Sequence, residues 1–364
     1  MLLAMAWALL VGCTQDDPLA SLPEGFWVVG SARALAPTFE AARAWSGTNL
    51  AAAALPLATA TAACPDTVLI GGATLEGGLK VVCEVPDTVA VLGKLAEGHA
   101  GAFVLPGPPG ARGSGTLDVA ENGSLSVQAD LPFPASGSAW DLVLPAGEPP
   151  GPNVLPVEGA LVHAHVRQHR VADVASLVGG SGEGGDVFMM QADLFAATVL
   201  SGSWEFAMWP AGEGGAVPQA ALSIGVRSEE VAARAAAEYV SSLSARWPLA
   251  AQPQEVGGLP ATCLGGLKLL PELAPCWAPA RGSLVVGWNA ASLGRALAPS
   301  SSSSEASGVV VDFKAFSAVD SALTQTFAPA GTSPPDDSYP WGRVHLSGAR
   351  RDDRLELTLR ADRR

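Results

Sequence analysis

Alternating apolar and polar positions predict two β hairpins in this chain. Residues 115–130 and 342–362 each carry apolar side chains at every second position on both sides of a short polar stretch. A period of two is typical of strands that bury one face. Asn122-Gly123 lies in the middle of the first stretch, and this dipeptide is the strongest short hairpin signal.

Short apolar runs lead directly into helical patterns at four places, two in each half of the chain. Each place predicts a strand, a small polar or acidic capping residue and a helix. These segments are 27–35, 79–98, 220–247 and 284–297, with Asp87 and Ser228 as caps in the middle two. Because the pieces of the first half recur in the second half in a compatible order, the chain predicts two related units.

The helix after Ser228 has the clearest pattern. Ser228 is predicted to be the N-cap of this helix, and Glu229 and Glu230 suit the positive end of the helix dipole. One apolar stripe is predicted to pack against the core, formed by Val231, Ala235, Tyr239, Val240 and Leu243.

These patterns predict an α+β protein of two related units, each an antiparallel sheet with helices packed on one face. The first unit is assigned to residues 25–150 and the second to residues 151–364. The boundary falls at 145–153, a stretch rich in proline and glycine.

The N-terminus predicts export. An uncharged apolar run from Leu2 to Val11 is too short to span a bilayer and is typical of a signal peptide, assigned to residues 1–12. Its end, Leu10-Val11-Gly12-Cys13, resembles the lipobox of bacterial lipoproteins. The resemblance implies cleavage before Cys13, acylation of its thiol, and a lipidated tether over residues 13–24. Thr14 at the following position implies sorting to the outer membrane, so the membrane is the expected partner through the Cys13 anchor.

Composition and charge narrow the classes of partner. Hydrophobic residues make up 48% of the chain and charged residues 15%, which is unlike a disordered protein. The net charge of −14 argues against nucleic acid, because phosphate binding needs clustered Lys and Arg.

Four cysteines remain once Cys13 is acylated. An even number in an exported protein predicts disulfides, and four cysteines allow three pairings. Proximity in the sequence favours Cys64–Cys83 and Cys263–Cys276.

The segment LVHAHVRQH, residues 161–169, raises the question of a metal site. His163 and His165 share one face of a predicted strand, and His169 and Asp173 lie four residues apart at the start of a predicted helix. Imidazole nitrogens and a carboxylate are suitable zinc ligands.

Comparison with the second apolar stretch, VVVDFKAFSAVD, weakens the metal interpretation. In this alignment Val310 stands in the place of His163 and Phe316 in the place of His169. We therefore predict no metal and no other cofactor, and we assign His165 and its counterpart Asp312 to helix entry.

No catalytic set is recognisable in the sequence. It contains no GxSxG elbow and no Walker lysine after the glycine-rich stretch 179–185.

From Ala160 onward the chain resembles a family of exported bacterial proteins of unknown function, with SGSWEFAMWP read as a hairpin. That resemblance implies a secreted or anchored α+β module.

The leading hypothesis is a non-catalytic, lipid-anchored envelope protein with a structural or protein-binding role. One alternative is a periplasmic carrier of an apolar ligand or lipid, suggested by Trp204 and Trp209 beside the predicted hairpin. The other alternative is a metal-dependent enzyme that uses His163, His165 and His169.

Overall fold

The computed structural model describes fourteen stretches of the chain. They are residue 22 and residues 25–43, 57–72, 80–105, 112–132, 151–167, 199–212, 217–244, 249–265, 274–299, 303–304, 307–315, 341–351 and 354–363. Outside the described residues lie the signal peptide 1–12, Cys13, almost all of the tether 13–24, and the candidate ligands His169 and Asp173.

Strands dominate the described residues. In chain order they are β1 Phe26–Ser31, β2 Thr67–Gly72, β3 Lys80–Val82, β4 Gly101–Val104, β5 Ser114–Val119, β6 Leu125–Pro132, β7 Gly151–Pro152, β8 Val162–Arg167, β9 Leu200–Trp209, β10 Gln219–Val226, β11 Ala250–Val256, β12 Leu259–Gly265, β13 Cys276–Ala280, β14 Ser283–Gly287, β15 Ser303–Ser304, β16 Ser307–Asp312, β17 Trp341–Arg351 and β18 Arg354–Arg363.

The helices are fewer and mostly short. They are α1 Ala32–Arg43, a 3-10 turn at Asp87–Val89, α2 Ala90–Leu95, α3 Glu229–Ser244 and α4 Ala290–Ala296, and residues 57–62 are also helical. None of the described helices is both long and apolar enough to cross a membrane.

The predicted fold class is wrong. Sixteen of the strands belong to one antiparallel sheet, and the smaller sheet pairs β7 with β15. The protein is therefore mostly β sheet and does not consist of two α+β units with helices on one face. Chain contacts still divide it into two parts, of which the first contains residues up to Pro132 together with Arg354–Arg363, and the second contains Phe133–Asp353.

In the first unit, β1 is buried on both faces. Its strand order is β18-β6-β5-β4-β1-β2-β3. Val28 packs with Leu35 of α1 on one face, and the next residue, Val29, packs with Leu92 of α2 on the other. Consecutive apolar residues such as Val28 and Val29 are typical of strands that are covered on both sides. The expectation that helices cover only one face of the sheet was wrong for this reason.

The second unit repeats this arrangement. Its strand order is β11-β12-β13-β14-β10-β9-β8-β16-β17. On β14, Val285 packs in one core cluster with Leu293 of α4, while Leu284 packs against a separate cluster that contains Ala232 of α3. Each strand of this kind needs a cover on both faces, and the two helices provide it.

The Asn122-Gly123 turn joins β5 to β6 as predicted. The backbone N–H of Ser124 donates to Oδ1 of Asn122 at 2.9 Å, and Gly123 has φ of +80°. That backbone region favours glycine because a Cβ would be strained there. Leu117 pairs with Val127 in the resulting antiparallel ladder.

Helix α3 begins where the sequence predicts, and the predicted apolar stripe is buried only in part. The Ser228 hydroxyl accepts from the N–H of Val231 at 3.4 Å. Val240 of the predicted stripe is buried, Val231 of the same stripe is 46% exposed, and Ala232, which was not assigned to the stripe, is buried. The helix contains alanine on several faces, so its apolar pattern does not fix its rotation about its own axis, and packing against Leu284 decides it.

Both expected disulfides are present. Cys64 pairs with Cys83 across 19 residues, and Cys263 pairs with Cys276 across 13 residues. Cys263 and Cys276 also lie opposite each other on the neighbouring strands β12 and β13. Each bond closes a short loop within one unit.

Removing either disulfide should lower the free energy of unfolding by about 3 kcal/mol, because the unfolded chain regains the entropy of an open loop. Denaturant unfolding of the Cys64→Ala/Cys83→Ala and Cys263→Ala/Cys276→Ala double variants measures the loss. Peptide mapping without reductant supplies the control, since it should recover both pairs from the unsubstituted protein. Crossed pairs, or variants as stable as the parent, would contradict the expectation.

Candidate functional site

A buried cluster of polar side chains lies in the second unit. It comprises Asn153, His163, His165 and Glu205, and we call these four residues the latch. They are exposed by only 9%, 6%, 3% and 1%, respectively. His163 and His165 lie on β8 and Glu205 on β9, and the antiparallel register places His165 directly opposite Glu205. Cross-strand neighbours of this kind point to the same face of the sheet.

Glu205 is the most buried member of the latch. Its Oε1 accepts from Nε2 of His163 at 2.6 Å. Its Oε2 accepts from the backbone N–H groups of Val154 at 2.7 Å and Leu155 at 3.1 Å. A buried carboxylate is costly unless its oxygens are paired, and here three donors surround it.

His165 is bonded at both ring nitrogens. Nδ1 lies 2.7 Å from Oδ1 of Asn153, and Nε2 lies 3.4 Å from the Ser203 hydroxyl. Because an amide oxygen only accepts, Nδ1 carries the proton and Nε2 accepts from Ser203. Burial lowers the pKa of His165 below 6.5, and the nearby His163 lowers it further, although Glu205 acts in the opposite direction. The ring is therefore neutral at neutral pH.

The latch holds one segment of chain against the sheet. We call residues 151–161 the strap. Besides the latch bonds, the strap carbonyl of Val154 accepts from Arg281 at 2.7 Å, and the carbonyl of Pro156 accepts from the indole N–H of Trp209 at 3.2 Å. At its far end, the N–H of Leu161 donates to the carbonyl of Met208 at 2.7 Å.

Two cationic side chains lie close to the strap. The guanidinium of Arg295, on α4, stacks over the ring of Trp209 with 5.3 Å to the centroid, and burial lowers its pKa. Arg281 adopts φ of +55°, and its guanidinium also reaches the carbonyls of Leu297 and Ala298 beyond the end of α4. These contacts tie the strap, β9 and α4 together.

Two described clefts lie elsewhere. They measure about 600 Å³ and about 580 Å³, both lie in the first unit, and Arg33 and Ser31 contribute to both. His99 lines the second cleft and bonds Asp118 at 2.9 Å, which lowers the pKa of that carboxyl. No latch residue lines either cleft. The latch is therefore a network closed within the protein, and its chemistry is that of holding chain segments together.

The structure describes only two of the four candidate metal ligands. His163 and His165 share the latch, while His169 and Asp173 lie outside the described residues. Within the described stretches, no three His, Cys, Asp or Glu side chains come together in a metal-holding group.

The expectation that His165 enters a helix is wrong. His165 lies inside β8, where pairing with both β9 and β16 keeps the backbone extended. Its proposed counterpart Asp312 does end a strand, and its Oδ1 accepts from the N–H of Ala315 at 2.9 Å. The two residues are thus not equivalent in the structure.

Sequence reasoning missed Glu205 and Asn153. The segment SGSWEFAMWP was expected to form a hairpin, but β9 runs through it as one strand from Leu200 to Trp209. Trp204 and Trp209 therefore lie along a single strand and do not flank a turn. The available signal for Glu205 was a lone carboxylate at a position whose alternate neighbours, Ala207 and Trp209, are buried.

No family model matches this chain, and neither the curated proteins nor the solved structures include a match to it.

Replacing Glu205 with Ala should lower the free energy of unfolding by at least about 3 kcal/mol. The change leaves two buried backbone N–H groups and the ring of His163 without their acceptor, and each such group costs about 1–3 kcal/mol. Urea unfolding measures the loss.

The matched control is Glu230→Ala on α3. Glu230 pairs with Arg234 at 2.9 Å but is exposed, so its removal should leave the unfolding midpoint nearly unchanged. Equal effects of the two substitutions would show that the latch does not stabilise the fold.

Proposed function

We propose that this protein is a lipid-anchored envelope protein with a non-catalytic role, either structural or in binding another protein. The observation that carries the proposal is the closed latch. Its carboxylate and imidazole groups are the kind that catalytic sites use, yet both Glu205 oxygens and both His165 nitrogens are bonded within the fold, and the four side chains are buried. A catalytic acid or base must reach a substrate proton directly or through one water.

The anchor is the second part of the proposal. Leu10-Val11-Gly12-Cys13 has the form of a lipobox, and acylation of Cys13 would fix the mature chain to a membrane. Each buried methylene contributes about 0.8 kcal/mol, so two acyl chains give lasting attachment where one chain does not. Thr14 favours the outer membrane as the destination.

The disulfides are consistent with export. Structural disulfides persist in oxidising compartments and are rare in the cytosol of mesophiles. Two pairs in one chain, each within a single unit, suit a protein that folds outside the cytosol.

Cys13→Ser should abolish lipidation and move the protein out of the membrane fraction. Cells labelled with a palmitate analogue and then fractionated provide both measurements. Thr14→Ser is the matched control, since it alters the neighbouring residue but leaves the thiol in place. Label that persists in the Cys13→Ser protein would refute the anchor.

A metal-dependent enzyme would behave differently from a closed structural latch. We expect protein purified without a histidine tag to contain no stoichiometric zinc, and added zinc to leave its melting temperature unchanged. A bound metal would stabilise the fold by RT ln(1 + [L]/Kd), about 2.7 kcal/mol at a hundredfold excess over Kd. One equivalent of zinc that is lost in the His163→Ala and His165→Ala variants would overturn the non-catalytic proposal.

A further inference from the structure

The strap is held at its centre by groups that can change their charge. Asn153 bonds His165, and the next two residues of the strap donate their backbone N–H groups to Glu205. The strap's remaining strand pairing is short, because β7 and β15 match only two residues each. By contrast, His165 lies on a strand with a neighbour on both sides, β9 and β16.

We propose that the latch is an acid-sensitive switch, in which neutral His165 keeps the strap closed and protonation of His165 releases residues 151–161 from the sheet. The proton binds at Nε2, the ring nitrogen that accepts from Ser203 in the closed state. The Ser203 hydroxyl can turn to accept from the new Nε2–H, but the positive charge on the ring remains buried and unhydrated. Asn153 of the strap is bonded to the other ring nitrogen, so water reaches that side of the ring only when the strap leaves.

The free-energy cost of protonation falls on the closed state. His165 is 3% exposed, and burial lowers its pKa. A closed state with a lowered pKa binds fewer protons than an open one, so the closed strap is fully stabilised above the ordinary histidine pKa of 6.5 and loses stability as the pH falls below it. For one proton, the opening equilibrium rises by up to about tenfold for each pH unit.

The charged groups around His165 are few among the described residues. His163 and Arg167 flank it on β8, and Glu205 faces it from β9. From β16 the opposite residue is Gly308, and from the strap it is Asn153, both uncharged. Glu205 favours the imidazolium, but its oxygens are already bonded to three donors, and the effect of burial on the pKa is larger.

The strap opens in preference to the sheet because less backbone strand pairing holds it, two residues in β7 against six in β8. Local opening takes place where few backbone hydrogen bonds and apolar contacts must be broken. The strap is held by side-chain bonds to residues 153–156, by the backbone bond of Leu161 to Met208 and by the buried side chain of Leu155. By comparison, β8 pairs with β9 over residues 162–167 and with β16 over residues 162–165.

Hydrogen exchange of the full chain tests the switch. After correction for the intrinsic rate, the amides of residues 151–161 should lose protection as the pH falls from about 7.5 to about 5, a range that spans the ordinary histidine pKa. The hairpin of β13 and β14, in the same unit, should keep its protection. NMR titration of isotope-labelled histidine should place the midpoint of His165 where the strap opens.

His165→Asn is the diagnostic variant. Its side-chain amide nitrogen replaces Nδ1 as the donor to Asn153 but does not titrate, so the strap should stay closed at both pH values. His345→Asn is the matched control, because His345 is an exposed histidine on β17, and it should open with acid like the parent.

The inference is wrong if strap protection is the same across the pH range, or if the folded His165→Asn protein still opens with acid, which would assign the effect to Glu205. If His165→Asn does not fold, the NMR titration decides. Titration of His165 without opening of the strap overturns the switch, and coincident midpoints support it.

Discussion

The buried carboxyl group of Glu205 joins separate parts of the second unit. A carboxyl group with 1% exposure needs its oxygens satisfied by donors nearby. Those donors come from two different parts of the chain, namely His163 on the adjacent strand and the backbone of residues 154 and 155. The charge therefore requires the strap to lie where it does.

The position of the strap in turn orders its surroundings. Once residues 154 and 155 are fixed at Glu205, their neighbours meet Arg281 and the indole of Trp209. Arg281 continues to the end of α4, and Arg295 of that helix stacks on Trp209. One buried charge thus accounts for the placement of a loop, a turn residue with positive φ and a helix end.

Local features of this fold were predictable from the sequence, and its layers were not. The Asn122-Gly123 turn, the start of α3 and both disulfides depend on residues close together in the chain. The layered arrangement depends on which faces of β1 are covered. Val28 and Val29 are both apolar, so the sequence pattern indicates burial but does not name the element on each side. The exposure of Val231 and the burial of Ala232 were missed for a similar reason, since the alanines of α3 suit several faces.

The latch was half predictable for a related reason. His163 and His165 are two residues apart, so their common face follows from strand geometry alone. Glu205 is 42 residues from His163 and 51 from Val154, and it meets them only through the register of β8 with β9. Because β9 was predicted to be a hairpin, its pairing with β8 was not foreseen. The contact between the histidines and the Glu205 carboxyl group was therefore missed.

The same geometry separates a polar cluster that holds chain segments together from one that performs chemistry. Catalytic groups must present a free donor, acceptor or nucleophile to an accessible space. In the latch, both Glu205 oxygens and both His165 nitrogens have partners within the protein, and both residues are almost fully buried. Pairing of this kind stabilises the cluster as long as the protonation states of its groups stay the same. A change of protonation inside the buried cluster costs free energy. A buried network of titratable groups is therefore more useful for fixing a segment in place than for turning over a substrate.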